Sequence, residues 1–312
     1  MSAFSADRIA WLKEAFLGLS HMEGYGSSLT LAPSMLSGIV LRSDPTNAVI
    51  ETTPTCCILH KSKLFSNGKR TKVVAHIIPR QGYGKQEVYL AALDILSRGG
   101  TVSSLSFHDV AVALGKVVKK GSVTSYSKDF VATDLTFDLY AGGRWKSVRR
   151  SLRKGYATKV LPLAEAANEV QRLDAAWLAH CERVEKPLDS DLLSWEGDKV
   201  SALNWWAQNY EVLESCGMGT VAVGSFDAEG CYSVQLFCRF TKSAFFCFAR
   251  RHIHERSTAH AVYEEMRIAG EQECFRGLAL NDGEGLHNSR STLNRMKSWY
   301  CELRAKSYTI TP

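Results

Sequence analysis

Nowhere in its 312 residues does the chain carry an apolar run near the roughly 20 residues that a bilayer-spanning helix needs. The start, "MSAFSADRIAWLKEAFLGLSHMEG", lacks the basic segment and apolar core of a secretory signal, so a cytoplasmic location is expected. No CxxC pair occurs among the nine cysteines, which removes the usual spacing of a structural zinc site. Those cysteines are odd in number and scattered, and several sit in apolar runs (Cys56, Cys57, Cys238, Cys247). That pattern suits reduced, buried thiols better than a disulfide framework.

What is present describes a globular protein. Hydrophobic residues make up 45% and charged residues 22%, enough for one large domain or two ordinary ones. The first segment reads as an amphipathic helix, with Ser5 as its cap and Ile9, Leu12, Phe16 and Leu19 on one face. "TCCILHKSKLF" and "KRTKVVAHIIP" read as strands joined at Asn67-Gly68, two residues that tolerate positive φ. The loop "RQGYGKQ" follows, then a helix "EVYLAALDILSRGG" ending at Gly99-Gly100, then a strand "TVSSLSFHDV". The second half repeats the order. "GTVAVGSF" and "CYSVQLFCRF" flank the turn "DAEG", and the second strand is expected to be half-buried, with Tyr232, Val234, Leu236, Cys238 and Phe240 on its apolar face. A strand "SAFFCFA", a basic loop "RRHIHERST", a helix "AHAVYEEMRIAGEQE" and a strand "CFRGLALND" complete it. Val88-Tyr89 and Val262-Tyr263 mark the two helices about 174 residues apart. The order predicts a duplication, with a strongly helical segment from about Phe137 to Asn209 between the copies.

Charge is concentrated in "GGRWKSVRRSLRKGYATKV". Six cations fall between Arg144 and Lys154 with no acid among them, equal to the whole chain's net charge of +6. Trp145, Val148 and Leu152 recur at helical spacing and predict a docked face. Arg149, Arg150, Arg153 and Lys154, with Lys146, then form a cationic surface. Neighbouring cations repel by a few tenths of a kcal/mol per pair, a cost that makes sense if a polyanion lies across them. Arginine suits bidentate phosphate contacts. The position between two similar units predicts an interdomain cleft.

"RRSLRKGYATKVLPL" resembles the Arg-rich helix of the Fem-type aminoacyltransferases, R-x-x-I-R-K-A followed by a Gly and a strand. The C-terminal domain of lysyl-phosphatidylglycerol synthases carries a comparable helix. "STAHAVYEEMRIAGEQECFRGLALNDGEGLHNSRSTLNRMKSWY" is similar to the family's last helix, strand, Gly-bearing loop and basic terminal helix. Lys297 falls at the family lysine, and Met296 stands where a Phe is usual. The resemblance covers about Phe137–Val160 and Ala244–Tyr300. It implies an α+β fold of two tandem GNAT-like units with mainly antiparallel mixed sheets, joined by a helical segment. The units would span 1–136 and 137–312. It also implies transfer of an amino acid from an aminoacyl-tRNA to an amine acceptor, including one tethered to a carrier protein, with no bound cofactor.

The activated ester needs positioning, a base for the amine proton and backbone N–H donors for the oxyanion. Asp282 and Glu284, in "NDGEG" beside Asn281, are the base candidates, although Asn-Asp-Gly also suits a plain turn. Arg250, Arg251 and Arg256 in "RRHIHERST" precede a helix N-terminus, where an anion is favoured. That loop has no glycine, unlike the phosphate loop of acetyl-CoA enzymes. Arg80, Gly82 and Gly84 come nearer that pattern but are one residue short. His252 and His254 form an H-x-H with no third ligand, so no metal site is expected. Trp205, Trp206 and Tyr210 offer stacking surfaces for a nucleoside, or helical core positions. The competing readings are an N-acyltransferase using acyl-CoA or acyl carrier protein, and a non-catalytic protein binding tRNA or anionic membrane.

Overall fold

The computed structural model describes residues 4–22, 33–42, 47–64, 70–105, 107–118, 123–133, 143–184, 192–195, 198–241, 244–253, 264–265, 268, 277–280 and 301–311. The first half runs α1 (Ala6–His21), α2 (Pro33–Arg42), β1 (Ala48–Thr52), β2 (Cys56–Leu64), β3 (Arg70–Pro79), α3 (Lys85–Ser97), β4 (Val102–Leu105), α4 (His108–Gly115) and β5 (Val123–Thr133). The middle supplies α5 (Gly143–Arg153), β6 (Ala157–Leu161), α6 (Leu163–Arg183), the hairpin β7 (Leu192–Trp195) and β8 (Asp198–Ser201), and α7 (Ala202–Ser215). Then come β9 (Thr220–Asp227), β10 (Gly230–Thr241), β11 (Ala244–His252), β12 (Gly277–Leu280) and β13 (Cys301–Ile310).

Eleven strands form one sheet in the order β1-β2-β3-β4-β13-β5-β12-β11-β10-β9-β6. Its two ends repeat each other. Strands β2 and β10 begin at Cys56 and Gly230, and β3 and β11 at Arg70 and Ala244, the same separation of 174 residues. In each half a hairpin leads to a third strand that pairs in parallel with the strand after it, β3 with β4 and β11 with β12. The duplication expected from the sequence is therefore a feature of the fold. The closing strands cross over. β5 of the first half lies against β12, and β13 of the second lies against β4, while β5 and β13 pair antiparallel at the centre. The boundary expected at 136/137 lies outside the described residues.

Such a wide sheet must curl, because each strand is rotated by about 20–25° from its neighbour. Here it wraps around a shared core. Ala48, Cys57, Leu59 and Ala75 from one end join Ala222, Val234, Leu236 and Cys238 from the other, with α1, α2, α6 and α7 between them. α1 supplies Trp11, Leu12, Ala15, Phe16 and Leu19 at helical spacing and touches both β3 and β10. A second core lies on the opposite face of the first half, where Val88, Ala92 and Leu96 of α3 and Val110 and Leu114 of α4 meet Ile58, Ile77 and Ile310.

Several local expectations change. Ser5 sits at the N-cap of α1, but only its carbonyl engages the first turn, accepting from Arg8 and Ile9 N–H. β10 is buried on both faces from Cys231 to Cys238. A bulge between Cys231 and Ser233 resets its alternation, so Cys231, Val234, Leu236 and Cys238 share the main core. "RRH" is the end of β11 and not loop, held by pairs such as Val234↔Arg251 and Ser233↔His252. The strand after α3 stops at Leu105, and His108 opens α4. Cys56, Cys57, Cys181, Cys216, Cys231 and Cys238 are buried thiols.

Candidate functional site

The basic segment is a helix, as its spacing predicts. α5 ends where Gly155 turns at φ 81°, with Gly155 N–H donating to Leu152 O and Tyr156 N–H to Ser151 O. This αL stop reverses the chain into β6, an outermost strand bonded to β9 through pairs from Ala157↔Phe226 to Leu161↔Ala222. Three residues hold the junction. The Tyr156 ring lies 5.3 Å from Tyr232, Thr158 Oγ1 is 3.1 Å from Ser225 Oγ, and Lys159 Nζ stands 4.7 Å over Phe226 and 3.2 Å from Glu165. Lys146, Arg149, Arg150, Arg153 and Lys154 are all exposed. Arg150 and Arg153 also sit in the last turn, where the helix dipole favours cations. The inward-facing residue of that turn is Ser151, at 5% exposure, whereas Leu152 is 39% exposed. Leu152 is thus not on the docked face, since the turn into β6 swings Ser151 inward. The expected cleft position follows chain order alone, and the C-terminal turn of α5 is instead tied to the sheet edge.

The parallel pairs form a second feature. β11 and β12 share the register Ala244↔Gly277, Phe245↔Leu278 and Phe246↔Ala279. β11 continues to His252 beside β10, with no β12 pairing beyond Phe246 among the described residues. In the first half the parallel pairing of β3 with β4 is the single pair Val74↔Val102. His76 follows two residues on. It is 4% exposed, and burial, with the Lys61 charge acting the same way, lowers its pKa to about 3.

After β3, the loop "RQGYG" leads into α3, but its groups are already engaged. Arg80 Nε donates to Glu14 Oε2 at 3.0 Å, and its guanidinium also donates to the Thr53 and Pro54 carbonyls. Gly84 N–H donates to Glu87 Oε2 at 2.8 Å, which places a carboxylate where a phosphate would sit. Gly82 adopts φ 86°.

Arg251 is not presented to solvent. Its Nε and an Nη donate to Asp174 Oδ1 at 2.9 and 2.8 Å, Ser201 Oγ donates to Asp174 Oδ2 at 2.7 Å, and its guanidinium lies 3.8 Å over the Trp177 ring. This buried cluster ties β11 to α6 and to the start of α7, which accounts for Arg251 without a ligand. Sequence reading missed it because its members lie far apart along the chain. Trp206 is 1% exposed within the main core, whereas Trp205 is half-buried with Arg42 at 5.4 Å over its ring. The Arg250 side chain and Arg256, Asn281, Asp282, Glu284 and Lys297 lie outside what the structure describes. Among the described residues no cluster of three His, Cys, Asp or Glu could hold a metal ion, and no helix is long and apolar enough to cross a membrane.

No protein-family model and no curated protein sequence matches the chain. Solved structures do. A conserved protein of unknown function from Bacteroides thetaiotaomicron aligns over 100% of both chains with a TM-score of 0.67 at 11% identity. FemX aligns over 100% of this chain and 97% of its own, with a TM-score of 0.59 at 10% identity. The fold is a tandem GNAT-like one. The C-terminal domain assigned to a lysylphosphatidylglycerol synthetase of Agrobacterium fabrum is also similar, with a TM-score of 0.62 at 9% identity over 98% of this chain and 92% of its own. At such identities the likeness concerns the fold.

Proposed function

We propose that the protein is an aminoacyltransferase that moves an amino acid from an aminoacyl-tRNA to an amine acceptor, forming an amide bond. The acceptor class is a peptidoglycan precursor, a peptide or an antibiotic intermediate, free or carrier-tethered. The observation that carries the reading is the cationic surface of α5, with Lys146, Arg149, Arg150, Arg153 and Lys154 exposed on a helix whose C-terminal turn is anchored to the sheet. A phosphate backbone lying there gains charge-assisted contacts and releases counterions. The fold shared with FemX agrees with this reading. The engaged groups around Gly84 favour an RNA-borne donor over a CoA pyrophosphate in the first half.

In the reaction the acceptor nitrogen attacks the ester carbonyl carbon. The C–N bond forms, the tetrahedral oxyanion collapses, and the ribose oxygen leaves with a proton. Backbone N–H groups of β11 beyond Phe246 are the proposed oxyanion donors, and Asp282 and Glu284 the proposed bases for the amine proton. Units 1–136 and 137–312 remain the proposed division, with the tRNA wall belonging to the second. Asn281, Lys297, Arg250 and Arg256 extend that surface in the proposal, and Trp205 remains its stacking candidate. Arg251 and Trp206 drop out, since both are buried.

The test supplies charged total tRNA carrying radiolabelled amino acids, with pooled amine acceptors, and follows amide product by mass spectrometry. Product that disappears after ribonuclease treatment is expected. Product made from acyl-CoA or acyl carrier protein in ribonuclease-treated mixtures, or tRNA binding with no product, overturns the proposal.

A further inference from the structure

Strand β1 is an outermost strand of the sheet, and among the described residues no strand pairs with its free side, where Arg8 of α1 donates to the Ala48 carbonyl at 3.1 Å and Ile50 and Thr52 lie beyond that contact. Its register fixes which backbone groups face outward. Thr53 N–H donates to Cys56 O at 2.8 Å and Ser62 N–H to Asn47 O at 3.0 Å. Bonded pairs alternate along an antiparallel ladder. Glu51↔Ile58 and Val49↔His60 are therefore bonded pairs, and Ile50↔Leu59 and Thr52↔Cys57 are not. The N–H and C=O groups of Ile50 and Thr52 point away from the sheet. Exposed edges invite pairing, and proteins commonly blunt them with lysine or proline. The opposite edge, β6, carries Lys159. The sequence of β1, Ala-Val-Ile-Glu-Thr, carries neither.

Each face of β1 borders a cleft. On one face a cleft of about 590 Å³ runs between β1–β2 and α3, with Ile58, Val74 and Ile95 in its wall and the carboxylates of Glu51, Glu87 and Asp94 around it. On the other, a cleft of about 470 Å³ lies between β1 and α1, lined by Ile50, Thr52 and Trp11 with Asp7 and Glu14. Side chains alternate across a strand, so Glu51 serves the first cleft and Ile50 and Thr52 the second. Arg98 offsets Asp94, Arg80 offsets Glu14, and among the described residues the Glu51 carboxylate meets only His60, at 2.8 Å. Asp7 and Glu87 have no cation within ion-pair range among the described residues. Both clefts are left acidic on a chain whose net charge is +6.

We propose that β1 is a docking edge for an extended, Lys- or Arg-bearing segment of a partner protein, which adds to the sheet as a further strand. The segment's backbone meets the outward groups of Ile50 and Thr52. Its cations reach Glu51 and Glu87 on one face and Asp7 on the other, and their aliphatic stems lie along the apolar walls. This inference is independent of the acyltransfer reading. It is tested by panning a displayed library of ten-residue peptides against the full chain, with Glu51→Gln/Asp7→Asn as counter-selection. Enriched peptides are then resynthesised with alternate backbone amides N-methylated and measured by fluorescence anisotropy. Ile50→Pro, which removes an outward N–H but no ladder hydrogen bond, is a second variant, read against Ile50→Ala to separate the loss of the side chain, and circular dichroism verifies that each variant is folded. The expected result is enrichment of basic peptides whose affinity falls at least tenfold on N-methylation, in Ile50→Pro and in the double variant. Failure to enrich peptides over the counter-selection overturns the proposal, as does affinity indifferent to N-methylation and to both variants.

Discussion

His76 lies in β3 just past the point where β3 and β4 pair, and its Nδ1 has no hydrogen-bond partner among the described residues. An unfolded histidine takes up its proton near pH 6.5, whereas buried His76 does so only near 3. Between these values acid binds the unfolded chain in preference, so the neutral ring's contribution is full above about pH 6.5 and is lost as pH falls toward 3. The slope from this one group approaches about 1.4 kcal/mol per pH unit. Urea unfolding of wild type and His76→Leu at pH 7, 6 and 5 should show the wild type losing more stability on acidification, with the variant's curve flatter. Parallel curves would mean that His76 is not held neutral. Nothing in "VVAHIIP" announces this, because a histidine flanked by aliphatics suits an exposed strand face as readily as a buried one. Arg251 teaches the same lesson. Its run of neighbouring cations suggests a ligand site, but its partner Asp174 sits on the buried stripe of α6, on a helix that looks amphipathic without it. A buried charge is decided by what folds opposite it, and that is not written locally.

At the scale of elements, α1 holds the two ends of the sheet together, and one glycine sets how close it comes. A Cβ on Gly18 would fall well inside van der Waals contact distance of the Pro79 carbonyl oxygen at the end of β3. Backbone cannot step aside as a flexible side chain can. Gly18→Ala should therefore destabilise by about 1–3 kcal/mol despite alanine's better helix propensity. Thermal unfolding measures it, and an unchanged or raised midpoint would show that α1 does not pack against β3 so closely. Elements with strong local signals are legible in the amino-acid sequence: the β2–β3 hairpin, α3 with its Gly99-Gly100 stop, and β9 through β11. Those without them are not. β6, five residues long, is marked by the family resemblance and by no local pattern, and β5 and β13, "VTSYSKDFVAT" and "CELRAKSYTI", have too many polar residues for a simple alternation. They are strands because each completes the other's ladder at the centre of the sheet.

On the scale of the whole molecule, duplication is legible in element order, and the exchange of closing strands is not. Pairing of β13 with β4, Tyr308↔Leu105 and Ile310↔Val102, joins the second half to the first across more than 200 residues, and no local pattern encodes such a partner. The exchange also explains why the two halves share one sheet and one wrapped core. It leaves the outer edges, β1 and β6, as the places where a partner can meet the sheet. The cationic wall of α5 stands beside one of them, and whether it carries RNA is the central question. The direct measurement is tRNA binding across a salt series, comparing wild type with Arg149→Glu/Arg153→Glu, both exposed positions whose change leaves the core intact. The account predicts that the double variant binds more weakly, with the slope of log K against log salt reduced by roughly 0.7–0.9 for each phosphate the variant fails to neutralise. Equal affinity and equal slope in the two proteins would contradict it and leave α5 as a solvated surface.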